Sequence, residues 1–280
     1  MKTALLRAQL EKTLRSKVLA PFSTQRPAAV EMAASGIPEI DRLTGGLPRG
    51  CLTEIFGPLG SGRTSLLVSL LSALTNGQES CALVDGRDSF DPCGAEASGV
   101  DLEKLLLVRC NNIEQALRAA DLLLHGGGFG LVALDLSDLP ERIVRRVPLN
   151  VWFRFRRMVE NTRTIFVLLE QESCAKTCAS LVLRLEMEAA RWRSARKISG
   201  TENPQQVLLG GLRISAEVVR CRFEQTGADD ERTSGAPQSV STQGARCSFE
   251  SQAAWSILTE KRKRRKNSAI RDSPQRRCAP

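Results

Sequence analysis

Seven short apolar runs, separated by turn residues and helical patterns, constrain the fold of this chain more than any other feature of its sequence. The runs are Leu52–Phe56, Cys81–Asp85, Leu105–Val108, Leu131–Asp135, Thr164–Leu169, Leu181–Glu186 and Leu212–Cys221. The clearest helical patterns between them are Thr64–Leu74, Ile113–Leu124 and Pro148–Glu160. Strands that are apolar on both sides are typical of a parallel sheet covered by helices on both faces. The sequence therefore predicts an α/β fold with a doubly wound, mostly parallel sheet flanked by helices.

The chain of 280 residues, 42% of them hydrophobic, is long enough for one domain with extensions. We predict an amphipathic N-terminal helix at 1–20, a polar linker at 21–35 and the α/β domain at 36–223. From 224 to 280 polar and charged residues dominate, so this tail is predicted to be mostly disordered. No apolar run is as long as a membrane-spanning helix, and the N-terminal stretch lacks the apolar block of a secretory signal. We therefore expect a cytoplasmic protein without a membrane partner.

The segment Gly57–Thr64 has the glycine spacing of a phosphate-binding loop, and it lies between an apolar run and a helical pattern, as such a loop requires. Its glycines would let backbone N–H groups surround phosphate oxygens at the start of a helix, and the Thr64 hydroxyl could ligate Mg²⁺. We predict ATP and Mg²⁺ as cofactors. The predicted nucleotide-binding residues are Gly57, Pro58, Leu59, Gly60, Ser61, Gly62, Arg63, Thr64, Ser65 and Asp135.

Two of these residues have a second interpretation. Arg63 stands where the motif has lysine, and its planar guanidinium is bulkier than an ammonium group, so the loop could instead be a turn that binds nothing. Asp135 ends an apolar run, where P-loop ATPases place the carboxylate that helps to hold Mg²⁺. Alone, it could equally be a turn residue that ends a strand. Together with the loop, Thr64 and Asp135 are predicted to hold Mg²⁺.

Further motifs in the order and spacing of a known family surround this loop. They are Ser35-Gly36-Ile37-Pro38-Glu39-Ile40-Asp41, Gly45-Gly46-Leu47-Pro48-Arg49-Gly50, Val84-Asp85-Gly86-Arg87-Asp88-Ser89-Phe90-Asp91-Pro92, Gly99-Val100-Asp101 and Glu114-Gln115-Ala116-Leu117. With them, the span from Gly36 to Asp135 resembles the RecA family. The resemblance implies a RecA-like P-loop fold, binding of ATP and single-stranded DNA, and a role in SOS-type DNA repair and recombination. It also implies subunits that pack side by side as a homo-oligomer.

The chain departs from the family pattern at the residues of hydrolysis. The position that matches the family's catalytic glutamate is Arg87, and a guanidinium cannot act as a general base at neutral pH. With Arg63, this implies a degenerate ATPase whose hydrolysis is weak or absent. Gln171 falls where the family has a glutamine that senses the γ-phosphate, although it could equally be a polar residue at a strand end.

The family's two DNA-binding loops would follow 131–138 and 164–171. The first is short and basic, with Arg142, Arg145 and Arg146 as predicted DNA contacts, and the second is nearly absent. This truncation resembles the shorter ImuA-type accessory proteins. The alternative function is therefore a non-enzymatic scaffold for an error-prone translesion polymerase complex, with a repair polymerase or recombinase as its partner.

Two basic segments suggest contacts with single-stranded DNA. Of the formal net charge of +9, +8 comes from 261–277, and its cationic cluster is Lys261, Arg262, Lys263, Arg264, Arg265 and Lys266. This cluster is predicted to contact phosphates, the alternative being a solvated tail. The second segment, Val151–Arg157, mixes aromatic residues with arginines. Its helical spacing favours aromatic packing against the sheet with arginines facing water over base stacking.

Overall fold

The computed structural model describes residues 30–194, 207–223 and 243–252. The predicted helix at 1–20, most of the predicted linker and the basic cluster at 261–266 lie outside these ranges. Within the described ranges, no helix is both long enough and apolar enough to cross a membrane.

An eight-stranded mixed sheet forms the centre of the fold. The strands within the described ranges are β1 (Met32–Ala33), β2 (Leu47–Pro48), β3 (Leu52–Phe56), β4 (Cys81–Asp85), β5 (Leu105–Arg109), β6 (Leu131–Asp135), β7 (Ile165–Glu170), β8 (Leu181–Ser194), β9 (Val207–Cys221) and β10 (Arg246–Gln252). The order in the sheet is β10-β9-β8-β3-β7-β6-β4-β5. The strands from β8 to β5 are parallel, whereas β9 and β10 extend the sheet in antiparallel pairing.

Helices cover the parallel part of the sheet on both faces. They are α1 (Pro38–Thr44), α2 (Arg63–Asn76), α3 (Pro92–Ala97), α4 (Ile113–Gly126), α5 (Glu141–Val144) and α6 (Leu149–Val159), with short 3-10 turns at Leu102–Lys104 and Lys176–Cys178. Leucines of α2 pack in one core cluster, with Ile40 of α1. The other cluster contains Ala116 of α4 and Trp152 of α6. This arrangement confirms the predicted α/β class, with a doubly wound, mostly parallel sheet.

The aromatic residues of α6 divide between core and surface. Trp152 and Phe155 are fully buried, and Phe155 makes an edge-to-face contact with Phe166 of β7 at a centroid distance of 5.4 Å. Phe153 is 48% exposed. Because a helix turns about 100° per residue, Phe153 lies on a different side of α6 from its two aromatic neighbours.

The predicted disordered tail contains an ordered element. β10 lies inside 224–280 and pairs antiparallel with β9, so the prediction of disorder is wrong for Arg246–Gln252. Phe249 is 3% exposed and joins the core cluster of α2, whereas the outward Arg246 pairs with Glu217 at 2.9 Å. A single large apolar residue in a polar stretch is too weak a signal to predict a strand.

The end of the predicted linker at 21–35 is also part of the fold. β1 pairs antiparallel with β2, and the buried Ser35 donates its N–H to Asp41 Oδ1 at 2.8 Å. These contacts depend on Gly46, which has φ of +104° and approaches the backbone of Ala33 so closely that a Cβ would lie 2.5 Å from its oxygen. Such close approaches between segments are not visible in composition.

Candidate functional site

The sheet brings the predicted site residues to one edge. The loop 57–62 connects the end of β3 to the first turn of α2, and Glu170 at the end of β7 pairs in register with Phe56. Asp135 at the end of β6 pairs with Leu169 of β7 and with Asp85 of β4. The carboxyl ends of parallel strands form the crevice in which α/β folds bind ligands.

Three glycines of the loop are required for different reasons. A Cβ on Gly57 would lie 2.1 Å from the Leu185 oxygen, and one on Gly62 would lie 2.1 Å from Ile214 Cδ1. Gly57 is therefore required by packing against backbone, whereas Gly62 is required mainly by its φ of +90°. Gly60 has φ of +78°, in the left-handed region that favours glycine, and a Cβ on it would have no neighbour within 4 Å. The space beside Gly60 is open.

Two buried polar atoms in this loop have no hydrogen-bond partner among the described residues. They are Ser61 Oγ and Arg63 Nη1. Both side chains are almost fully buried, with 1% and 6% exposure. Leaving a buried polar atom unsatisfied typically costs about 1–3 kcal/mol. Both atoms are donors that a phosphate oxygen can accept, so the chemistry of these residues fits a phosphate group.

The other loop residues lie nearer the surface. Pro58, Leu59 and Thr64 are exposed, and Ser65 is half-buried at the start of α2. Burial lowers the pKa of the Arg63 guanidinium, against the opposite effect of the carboxylates of Asp135, Asp138 and Glu170. Arg63 and Asp135, both predicted as nucleotide-binding residues, therefore interact electrostatically. Thr64 and Asp135 offer the oxygen ligands that Mg²⁺ prefers, so they fit that ion.

Asp135 is held in place by Ser137. The Ser137 N–H and hydroxyl both donate to Asp135 Oδ1, at 2.9 and 2.5 Å. Burial raises the pKa of Asp135; these two hydrogen bonds oppose that effect, and the carboxylates of Asp138 and Asp85 add to it. The predicted Gln171 joins the same group, because its Nε2 donates to the Ser137 carbonyl at 2.8 Å. Sequence reasoning missed Ser137, for which no motif gave a signal.

Asp85 and Arg87 occupy the segment in which the sequence placed the altered catalytic position. The two oxygens of the buried Asp85 accept backbone N–H groups, from Arg87 at 3.1 Å and from Phe90 at 2.7 Å. Asp88 forms an ion pair with Arg109 at 3.2 Å, and the Arg87 side chain is exposed. Asp85 therefore shapes the turn after β4, with both oxygens already engaged as acceptors.

A buried acidic cluster fastens the segment after β7 to the strand before the loop. Glu54 Oε1 accepts the N–H groups of Cys174 and Ala175, both at 2.7 Å, and its Oε2 accepts the Ser173 hydroxyl at 2.8 Å. Glu170 accepts the Cys174 N–H at 3.0 Å and its thiol. Sequence reasoning missed this cluster, although a glutamate inside the apolar run Leu52–Phe56 was a visible signal.

The predicted DNA-binding arginines differ in their surroundings. Arg145 is paired with Glu141 at 2.7 Å and with Glu172, which lies next to Gln171. Arg142 and Arg146 are exposed and have no ion pair within the described ranges. The Arg145–Glu172 pair joins the segment after β6 to the segment after β7. The basic cluster at 261–266 lies outside the described ranges.

Comparison with known sequences gives one family model and two curated relatives, all of them RecA. A family model of the RecA N-terminal domain matches residues 1–139. The RecA protein of Acinetobacter baumannii strain ATCC 17978 is 32% identical over 130 residues, which are 46% of this chain and 37% of that protein. RecA of Deinococcus radiodurans is 31% identical over 130 residues, 36% of its length. The match thus spans little more than a third of these relatives.

A solved structure supports the fold independently. A crystal structure of the RadB recombinase superimposes with a TM-score of 0.52 at 18% identity, covering 78% of this chain and 95% of that one. At this identity the likeness concerns the fold, which is α/β and RecA-like. It extends well beyond residue 139, where the family match ends.

Proposed function

The chain belongs to the RecA family, and from this premise we propose that it binds ATP with Mg²⁺ and single-stranded DNA in SOS-type DNA repair and recombination, in the cytoplasm. We propose that its hydrolysis of ATP is weak or absent. The domain boundaries we propose are those of the sequence, with 36–223 as the nucleotide-binding domain, adjusted for the ordered strands at 32–33 and 246–252.

The observation that supports nucleotide binding best is the pair of buried, unsatisfied atoms in the loop, Ser61 Oγ and Arg63 Nη1. The Gly57 and Ser61 N–H groups already donate to the Glu170 and Pro58 carbonyls, so the other backbone N–H groups of the loop, with these two side chains, would hold the phosphates. Thr64 and Asp135 would hold Mg²⁺. When bound, Mg²⁺ would neutralise phosphate charge. Slow hydrolysis follows because Arg87 cannot accept a proton at neutral pH. The nearby Asp85 already accepts two backbone N–H groups.

The contacts of Gln171 support a link between nucleotide and DNA sites. Through Ser137, Gln171 is connected to Asp135, and its neighbour Glu172 pairs with Arg145. A structural change at the bound phosphates would therefore be transmitted to the segment that contains Arg142, Arg145 and Arg146, through these hydrogen bonds and one ion pair. We propose that DNA contacts this segment through Arg142 and Arg146, and through the cluster at 261–266.

A second candidate is the non-enzymatic scaffold, with a repair polymerase or recombinase as partner. It is favoured by the segment that replaces the second DNA-binding loop. In that segment Cys174 and Ala175 are buried, and Glu54 binds both of their backbone N–H groups. A segment fastened in this way has little freedom to order around DNA. The truncated second loop is the feature shared with the ImuA-type accessory proteins.

The test uses two variants of Gly60 with the full chain. Asparagine and aspartate tolerate the left-handed backbone best after glycine, so Gly60→Asn and Gly60→Asp carry a similar backbone cost. Only Gly60→Asp adds a negative charge beside the phosphates. We expect Gly60→Asn to keep ATP affinity and Gly60→Asp to lose it by about tenfold or more, which is about 1.4 kcal/mol. Gly62 is unsuitable, because a side chain there would collide with Ile214.

Binding of single-stranded DNA, measured with and without ATP alongside ATP turnover, then separates the two candidates. DNA binding that requires ATP and is lost in Gly60→Asp, with slow turnover or none, supports the ATP-dependent DNA-binding protein. ATP binding without turnover or DNA binding supports the scaffold. If the wild type binds no ATP at all, nucleotide binding is refuted.

A further inference from the structure

Helix α6 exposes two large apolar side chains on one side. Leu149 is 37% exposed and Phe153 is 48% exposed, whereas Trp152 and Phe155 of the same helix are fully buried. Residues four apart are neighbours on a helix surface, so Leu149, Phe153 and Arg157 form one continuous row, here called the α6 stripe. Contiguous exposed apolar groups mark interaction sites, whereas scattered ones do not.

The cations around the α6 stripe have no acidic partner of their own. Arg157 and Lys176 are exposed, and neither forms an ion pair with a carboxylate in the part of the chain that the structure describes. Glu160, the acid that follows α6, pairs with Arg156 at 3.1 Å. The 3-10 turn that contains Lys176 packs on α6, and the Arg220 guanidinium donates to the Lys176 carbonyl. The apolar residues are therefore bordered by positive charge that the described residues leave uncompensated.

A protein segment fits this surface better than a single strand of DNA. Bases stack on flat rings, and Phe153 provides the one exposed ring of α6, beside the aliphatic Leu149. Apolar side chains at i and i+4 are the spacing at which one amphipathic helix packs on another. Carboxylates beside the apolar residues of such a helix would supply the acids that Arg157 and Lys176 lack.

We propose that the α6 stripe is the docking surface for an acidic amphipathic helix of a partner protein. The apolar residues of that helix cover Leu149 and Phe153, and its carboxylates pair with Arg157 and Lys176. This inference rests on the scaffold, the second candidate function, and names the surface and the chemistry of its partner. It uses neither the phosphate loop nor Arg142 and Arg146.

The experiment measures binding of labelled synthetic helices to the full chain by fluorescence anisotropy. The probe is a peptide about five helical turns long, with leucines at i, i+3, i+4 and i+7 and glutamates at most other positions. One control peptide has lysines in place of the glutamates, and another has the same residues with the leucines spread around the helix. We expect the acidic helix to bind the wild type at least about tenfold more tightly than either control.

Three substitutions of exposed residues then locate the bound helix. Phe153→Ala should weaken binding of the acidic helix by about tenfold, because aromatic anchors contribute most to the affinity of an interface. Leu149→Ala should weaken it by about threefold, since less apolar area is lost. Leu122→Ala is the matched control, because Leu122 is 74% exposed on α4, and it should leave the affinity unchanged. Binding of ATP and of labelled single-stranded DNA is measured on the same proteins.

Equal binding of the glutamate and lysine helices would overturn the inference, as would an unchanged affinity of Phe153→Ala for the acidic helix. A loss of DNA affinity in Phe153→Ala without a loss of peptide affinity would also overturn it, because the α6 stripe would then be a DNA surface. Wild-type protein that binds the acidic helix but no ATP would refute nucleotide binding and support the inference. The comparison of three peptides uses wild-type protein alone, so it holds even if a variant fails to fold.

Discussion

At the scale of single residues, Glu170 and Glu54 show how this chain places acids inside its sheet. Both are almost fully buried, and both accept the same Cys174 N–H. Burial raises the pKa of Glu170 well above its ordinary value, and the neighbouring Glu54 adds to the effect. Two carboxylates at one donor cannot both be charged at low cost. Glu170 therefore binds its proton more tightly in the folded chain than in the unfolded chain.

This difference predicts how stability depends on pH. When folding raises the pKa of a carboxyl group, the free energy of unfolding falls as pH rises. The fall runs from the ordinary pKa of the group through its raised pKa. Gln cannot ionise and resembles the protonated acid, so Glu170→Gln should remove that loss. We expect the variant to be more stable than the wild type by roughly 1–3 kcal/mol near neutral pH. This is the typical cost of burying one polar group without a satisfying partner. The gain should shrink toward pH 4.5.

Urea unfolding from acidic to neutral pH measures both proteins. Glu54→Gln is the comparison variant: its amide oxygen can still accept the Cys174 and Ala175 N–H groups, but its nitrogen cannot accept the Ser173 hydroxyl. Because Glu54 contributes to the raised pKa of Glu170, that variant should also weaken the pH dependence of stability. If the stability of Glu170→Gln depends on pH in the same way as that of the wild type, the raised pKa of Glu170 does not explain the pH dependence.

At the scale of elements, α6 links core packing to the basic surface. Its aromatic residues Trp152 and Phe155 pack on the sheet, whereas Phe153 and Arg157 are exposed. Arg154 pairs with Asp121 of α4 at 3.0 Å, which connects neighbouring helices. The segment Val151–Arg157 thus contributes to the core on one side of α6 and to a solvated face on the other.

The division predicts opposite results for two neighbouring phenylalanines. Phe155→Ala removes a fully buried ring and its contact with Phe166, so it should cost about 3–5 kcal/mol of unfolding free energy. Phe153→Ala, from a side chain that is 48% exposed, should cost less than about 1 kcal/mol. Urea denaturation of the two variants compares them directly. Equal losses would mean that α6 is rotated relative to the described structure.

At the scale of the whole molecule, positive charge is distributed unevenly. In the described ranges many arginines have acidic partners, such as Arg213 with Glu250 at 3.7 Å and Arg246 with Glu217 at 2.9 Å. The stretch 261–277 has nine basic residues against Asp272 alone. The net positive charge of the chain therefore comes mainly from this stretch, which lies outside the described ranges.

Removing 261–280 should weaken single-stranded DNA binding and reduce its salt dependence. Each phosphate contact on a single strand contributes about 0.7 to the slope of log affinity against log salt, so loss of the nine basic residues of this stretch can lower the slope by up to about 6. Fluorescence anisotropy with labelled DNA over a range of salt concentrations measures the slope. A second chain, with 261–266 replaced by neutral glutamines, lacks six of these cations and should lose up to about 4 of the slope. An unchanged slope would show that the cluster makes no phosphate contacts.

The sequence by itself determined the α/β class, the bounds of β3, β4 and β6, and the position of the glycine loop between β3 and α2, because these depend on local apolar periodicity and on glycine spacing. The tertiary structure alone decided which strands meet. It placed β10 on β9, brought Cys174 to Glu54, and buried Arg63 Nη1 without a hydrogen-bond partner among the described residues. The physical reason is that such contacts join residues far apart in the chain, and their energies depend on burial and on neighbouring charges that no local pattern contains.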